Sequence, residues 1–392
     1  MNLLRRGSFD LMKKMNQQVI LKLIYNKRAI SRAEIAEITG LSPATVTNIS
    51  KEMLEMELIQ ESSWGESRGG RKPVLLEVNP DGAYFIGLEW GISEIRGVLM
   101  DLNKRIIAYG EEEIKSYQVD SFIELSSKIA NKFYNYSIDE EKIYGMGVGV
   151  HGLVDPEKGY SLFAPHFKWS EIPIKEKLEE GFDLPVIIDN DVRVMAVAEK
   201  WNGRDNFLFI NTGSGIGAAI VLNGNVHYGR DYSAGEFGHM IVERDGPLCS
   251  CGNNGCLEAF ISLDSLVQRY NGNYTGENKH QDLHQEWLNL LEDARTGTEE
   301  ELNIIESIAE YLGLGLANII NLLNPEEIII GGDLIEGADL ILPLLQKSVA
   351  EKSLNIPGRN LTIEVTAFGK WVGAIGGATM VLEQLFNFQE GI

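Results

Sequence analysis

The sequence predicts an α/β protein in two parts: a small helical head closed by a strand hairpin, and a larger body of two similar lobes. Three observations carry that expectation. Charge is split along the chain, a strand–glycine turn–strand unit occurs twice, and all three cysteines fall within eight positions. Residues 1–78 hold 12 Lys/Arg against 9 Asp/Glu, a net of +3. The remaining 314 residues hold 23 against 48, a net of −25. A mildly basic head on an acidic body marks a separate nucleic-acid module. The body repels phosphates, which limits unspecific adhesion. No apolar run approaches the roughly 18 residues of a membrane span, and no signal-peptide layout opens the chain. A soluble, cytoplasmic protein without a membrane partner is expected.

The head reads as a winged helix-turn-helix. Val19, Ile20, Leu23 and Ile24 form an apolar helical stripe. Ser31 opens a second helix as N-cap, with Glu34 as its capping-box partner. Ile35, Ala36 and Ile38 pack that helix, and Gly40 supplies the turn. Ser42 and Pro43 then read as an N-cap followed by proline at the first helical position. In the third helix Val46, Ile49 and Met53 face inward, which leaves Ala44, Thr45, Thr47 and Asn48 pointing out. Small and polar side chains on one helix face suit a major groove, where Thr and Asn can meet base edges. Leu58–Gln60 and Val74–Val78 flank a basic glycine-rich stretch and predict a wing. Arg68, Arg71 and Lys72 on its tip are candidates for minor-groove or phosphate contact. Asn79-Pro80-Asp81-Gly82 marks the boundary, giving a head of 1–78 and a body of 79–392.

In the body, strands at Tyr84–Glu89, Ile95–Leu102 and Arg105–Glu112 turn at Gly91. The order returns at Phe207–Asn211, the turn Gly213–Gly217, Ala218–Leu222 and Asn225–Tyr228. Cys249, Cys251 and Cys256 follow His239 closely. Three thiolates and an imidazole make a complete tetrahedral set for one Zn2+ per chain. With four protein ligands the site is closed, so the metal is structural and not a water activator. A disulfide would leave one thiol unpaired. A metal in this loop, 236–258, also fixes the flanking Glu236 and Glu258. The apolar strand Pro185–Asp189 runs into Asn190 and Asp191, a pair that suits adjacent hydroxyls but equally suits a strand-end turn with a helix cap. Asn271–Glu301 is polar and reads as a helical surface insertion, with His280 and His284 on a solvated face. Ile304–Leu323 is apolar at helical spacing, which core packing and a dimer surface both explain.

Gly235-Glu236-Phe237-Gly238-His239, followed by Cys249-Ser250-Cys251-Gly252-Asn253-Asn254-Gly255-Cys256-Leu257-Glu258, resembles the signature of the ROK family of bacterial sugar repressors and sugar kinases. The resemblance runs from about residue 80 to near the C-terminus. It implies a duplicated ribonuclease-H-like (actin/sugar-kinase) two-lobed domain, here behind an N-terminal winged helix-turn-helix, with a sugar in the cleft. By the same resemblance Asn190, Asp191, Glu236, His239 and Glu258 bind the sugar, and Asp191 matches the general base of the kinases. The kinases begin the first lobe with Asp-x-Gly-Gly-Thr, where this chain has Glu89-Trp90-Gly91-Ile92-Ser93. A β-branched residue in place of the second glycine closes a phosphate loop. Gly213–Gly217 and Ile328–Gly332 could hold a nucleotide, though tight strand turns need such glycines anyway. His151 stands where the family usually has proline and reads as a packed, satisfied histidine. The expectation is a non-enzymatic repressor of carbohydrate metabolism: a homodimer or dimer of dimers on operator DNA, released by a monosaccharide inducer such as xylose or a hexose. The alternative is an ATP-dependent, glucokinase-like sugar kinase that carries an added DNA-binding head.

Overall fold

The computed structural model describes residues 2–64, 73–136, 138–272, 280–356 and 360–386. The wing-tip candidates Arg68, Arg71 and Lys72 lie outside them. The head comprises α1 (Asn2–Lys27), β1 (Ile30–Ser31), α2 (Arg32–Thr39), α3 (Pro43–Glu55), β2 (Ile59–Trp64) and β3 (Val74–Val78). Ser31 and Glu34 close a complete capping box on α2, and Gly40 ends it at φ 70°. Ser42 caps α3, with Pro43 at its first position. β2 and β3 pair antiparallel in the register Ile59↔Val78, and β1 adds a short third strand on the far side of β3. Two expected core residues face outward instead: Val19 is 52% and Ile38 57% exposed. The stripe of α1 is Ile20, Leu21 and Ile24, and Val19 stands about 160° around the helix from Leu21. Ile38 stands the same angle from Ala36, so the two cannot share the inner face of α2.

The body opens with β4 (Tyr84–Trp90), β5 (Glu94–Asp101), β6 (Ile106–Glu113), α4 (Val119–Tyr134) and β7 (Ile143–Val150). A small sheet of β8 (Leu153–Asp155), β9 (Tyr160–Ala164) and β10 (Trp169–Ile172) follows. After it come α5 (Ile174–Gly181), β11 (Val186–Asn190) and α6 (Asp191–Lys200). The second lobe holds β12 (Phe207–Thr212), β13 (Ile216–Leu222), β14 (Asn225–Val226), α7 (Glu258–Ile261), α8 (Leu263–Tyr270) and α9 (His280–Thr296). It ends with α10 (Glu299–Leu323), β15 (Glu327–Gly332), α11 (Ala338–Lys352), β16 (Thr362–Val365) and α12 (Val372–Phe386).

The duplication lies in the topology. One sheet is ordered β11-β7-β4-β5-β6 and the other β16-β15-β12-β13-β14. In each, an antiparallel meander is extended by two parallel strands behind its first member. The parallel strands are buried on both faces and accordingly read as continuous apolar runs such as Phe207–Ile210 and Ile328–Ile330. α12 packs against α6, β4 and β7 at backbone distance: a Cβ on Gly376 would lie 1.9 Å from the Val194 carbonyl oxygen, and one on Gly147 2.0 Å from that of Gly377. Only glycine permits that approach.

α9 departs from expectation. Leu283, Trp287, Leu290, Leu291 and Ala294 recur at helical spacing and are buried, so one face of this insertion belongs to the second lobe's core. Its His284 is not simply solvated, because its two ring nitrogens face Asp333 at 3.7 Å and Glu336 at 3.4 Å. The head does not stand apart either. Ile20, Ile24 and Leu76 share one apolar cluster with Phe85, Val98, Ala378 and Leu382 of the body. No helix among the described residues is long and apolar enough to cross a membrane.

Candidate functional site

The cleft is assembled from strand ends. β7 and β11 run parallel with Val150 opposite Asn190, so the residues that follow them, His151 and Asp191, emerge side by side. Asn190 is the N-cap of α6: its Oδ1 accepts from the Arg193 N–H at 3.1 Å, while its Nδ2 donates to the Gly152 carbonyl at 3.0 Å and to Asp191 Oδ1 at 2.7 Å. The cap role is therefore real. Asp191 Oδ1 also accepts the Val192 N–H at 2.9 Å, and Oδ2 lies 3.1 Å from His151 Nδ1.

Beneath the pair sits a buried network that the motif reading missed. Arg193 Nε donates to Asp189 at 2.7 Å, Nη1 to the Tyr232 carbonyl at 2.8 Å and Nη2 to the Val154 carbonyl at 3.1 Å. Tyr228 donates to Asp189 at 3.1 Å and lies under the guanidinium at 5.1 Å. Burial raises the Asp189 carboxyl, and Arg193 opposes the rise. A sequence signal existed: an acid and an arginine four positions apart, between the apolar runs Val186–Ile188 and Val194–Ala198.

On the opposite wall, Glu258 at the start of α7 accepts the Ile216 N–H at 3.1 Å and the Ser250 hydroxyl at 3.2 Å. That bond ties the cysteine loop to the second glycine turn. Glu236 is largely exposed and lies 3.9 Å from His239 Nε2. The opposite ring nitrogen, Nδ1, faces Cys249 Sγ at 3.6 Å, and Cys251 and Cys256 Sγ stand 3.7 Å apart. All four ligand atoms lie within 4.8 Å of one another, and the cysteines are free thiols. Metal–sulfur bonds of roughly 2.3 Å and metal–nitrogen bonds of roughly 2.0 Å at a tetrahedral angle give S···S of about 3.8 Å and S···N of about 3.5 Å. These four residues could hold a metal ion. The loop folds so tightly because Gly255, at φ 74°, stands where a Cβ would lie 1.6 Å from the Glu243 carbonyl oxygen.

Both glycine turns carry an acidic side chain. Glu89 is buried with Oε1 3.4 Å from Arg96 Nη1, while Oε2 has no hydrogen-bond partner among the described residues. Burial, helped by Asp191, Glu94 and Asp333 and opposed by Arg96, raises its carboxyl from 4.5 to about 7. Ile92 packs against the first lobe's core. At the second turn a Cβ on Gly213 would lie 2.6 Å from Asp333 Oδ2, so a carboxylate covers the backbone that a phosphate would need. The Asp333 carboxylate at the second turn opposes a polyphosphate there.

In the head, Ala44, Thr47 and Asn48 are exposed and Thr45 is half-buried, while Val46, Ile49 and Met53 are buried, as the stripe predicts. The Thr45 hydroxyl lies 2.8 Å from that of Ser42, and that of Thr47 donates to the Pro43 carbonyl at 2.7 Å. Asn48 is exposed beside them, and its amide has no hydrogen-bond partner among the described residues.

Fold and site together define a two-lobed, sugar-kinase-like body carrying a winged DNA-binding head. Comparison with known proteins gives the family. The ROK family profile matches residues 85–384 and the MarR family profile residues 13–63, and the chain belongs to the ROK family. It is 31% identical to the xylose repressor of Caldicellulosiruptor bescii, over 98% of this chain and 99% of that protein. A solved ROK family transcriptional regulator, described as a homolog of the Escherichia coli MLC protein, superposes with a TM-score of 0.81 at 28% identity, covering 96% and 97% of the two chains. A ROK family glucokinase from Streptomyces griseus, solved with glucose and AMPPNP, gives 0.66 at 27% identity, covering 76% of this chain and 99% of its own. The xylose repressor and the solved regulator match nearly the whole chain, head and body alike, whereas the glucokinase covers 76% of it. Within its family the chain is a sugar-responsive transcriptional repressor.

Proposed function

We propose that a monosaccharide, xylose or a hexose, binds between Asn190, Asp191, Glu236, His239 and Glu258 and thereby releases the head from operator DNA. The observation that carries this is α6. Its N-terminus holds Asn190 and Asp191, and its C-cap is Trp201. Trp201 packs on Tyr25 of α1 at 5.8 Å and on Phe386 of α12 at 5.7 Å, with Lys104 Nζ 4.4 Å above its ring. Ten residues at about 1.5 Å each thus connect the Asp191 carboxylate to the seat of the head. A sugar that draws Asp191 toward Glu258 tilts this short rigid helix, and its other end moves against α1. For release, the sugar must bind the two states with different affinity, and a coupling of about 1–3 kcal/mol is usual.

Ala44, Thr45, Thr47 and Asn48 would meet bases in the major groove, and Arg68, Arg71 and Lys72 the backbone or minor groove. A two-fold dimer, alone or as a dimer of dimers, suits a palindromic operator in the cytoplasm. Zn2+ is the ion that fits His239, Cys249, Cys251 and Cys256. Bound there, it would supply structure, holding the loop that carries Glu236 and Glu258. Operator-release and ADP-release assays run side by side with D-xylose, D-glucose and N-acetyl-D-glucosamine test the reading. Release by one sugar without ADP is expected, and Asp191→Asn should stay on DNA whatever the sugar. Robust ADP production by the wild type, lost in Asp191→Asn, would refute it.

A further inference from the structure

His151 belongs to the cleft by geometry and is absorbed by none of the roles above. It follows β7 just as Asp191 follows the N-cap after β11, and the Val150↔Asn190 register places the two side chains together. Its Nδ1 lies 3.1 Å from Asp191 Oδ2, which orients the imidazole. Phe167, with ring centroids 5.6 Å apart, and His166 at 6.3 Å meet it edge to face and hold it from behind. The opposite ring nitrogen, Nε2, has no hydrogen-bond partner among the described residues, and the side chain is 27% exposed. Burial disfavours the protonated ring, while the hydrogen bond to Asp191 and the charges of Asp191, Glu258 and Glu236 favour it and raise its affinity for a proton.

A ring anchored through one nitrogen presents the other at a fixed place. With the proton on Nδ1, Nε2 accepts a hydroxyl proton; with both nitrogens protonated, it donates to a hydroxyl oxygen. Either way it can bond to one hydroxyl at a defined position, and a sugar lacking that hydroxyl leaves a desolvated nitrogen unpaired. We propose that His151 is a sugar-contacting residue of this site that sets which monosaccharide acts as inducer, its Nε2 bonding one ring hydroxyl while Asp191 holds Nδ1. This rests on the proposed sugar site, and it adds a residue whose contribution is specific to a single hydroxyl.

Isothermal titration with D-xylose, D-glucose and N-acetyl-D-glucosamine identifies the tightest ligand of the wild type. That sugar and its monodeoxy analogues are then titrated into His151→Phe and His151→Gln. His151→Phe should weaken the parent sugar by about 10-fold or more, and His151→Gln, which keeps a polar terminus, should recover part of the loss. One monodeoxy analogue should bind wild type and His151→Phe equally, while the others keep the full difference. A merely structural role would weaken every analogue alike, and that result overturns the proposal. So does unchanged affinity of both variants for the parent sugar. If the wild type binds none of the three sugars, the sugar-release reading itself falls, which is distinguishable because the variants then have nothing to modify.

Discussion

Replacing Glu89 by glutamine should stabilise the protein at alkaline pH and have little effect in acid. Burial is the largest influence on this carboxyl, and it outweighs the attraction of Arg96, raising the acid from 4.5 to about 7. The folded state therefore holds the Glu89 proton more tightly than the unfolded chain does. Below about pH 4.5 the group is neutral in both states and costs nothing. As pH rises toward 7 the unfolded chain releases the proton first, and stability falls; above about 7 the loss is complete. At about 1.4 kcal/mol per tenfold change in proton affinity, the full cost is on the order of 3 kcal/mol. Glutamine keeps the shape and removes the charge, while Arg96 retains Glu94 as a partner. The variant should gain roughly 3 kcal/mol at pH 8 and close to nothing at pH 4.5. Thermal or urea denaturation of both proteins at pH 5, 6, 7 and 8 reads the difference directly. A constant offset between the curves, or a variant less stable at pH 8, would refute the reasoning and show that the Arg96 pairing outweighs desolvation.

Three further outcomes follow from the same geometry. Wild-type protein should carry about one zinc per chain by mass spectrometry, and Cys251→Ser should lose it together with sugar affinity, because Glu258 hangs from the same loop; normal sugar binding by the metal-free variant would break that link. Asn48→Ala should alter base preference at the operator by about 1–3 kcal/mol without changing the salt dependence, measured by competition binding across operator variants. Trp201→Ala should leave sugar titrations near wild type yet reduce sugar-driven operator release, since it cuts the contact between α6 and Tyr25; release that is as efficient as in the wild type would exclude α6 as the connection.

Much of the chain was legible before its fold. The Ser31–Glu34 capping box, the Val46–Ile49–Met53 stripe and the Cys249–Cys256 cluster depend on neighbours a few positions away, so local spacing carries them. The duplicated lobes showed in the repeated order of apolar strands and glycine turns. What local spacing could not carry lies between segments. His151 and Asp191 are 40 positions apart and meet because two parallel strands share a register, and no pattern within either strand encodes that register. Asp333 covers the turn at Gly213 because β15 lies beside β12, which makes a glycine-rich turn acidic. The polar composition of α9 hid a buried face, because a few large side chains such as Trp287 suffice to seat a helix. Trp201, at the end of the helix that begins at Asp191, touches Tyr25 only because the head docks on α12. Local chemistry thus determined which groups could bind metal, sugar and DNA. Tertiary packing decided which of them face each other, because burial and strand pairing act between residues that the chain itself keeps far apart.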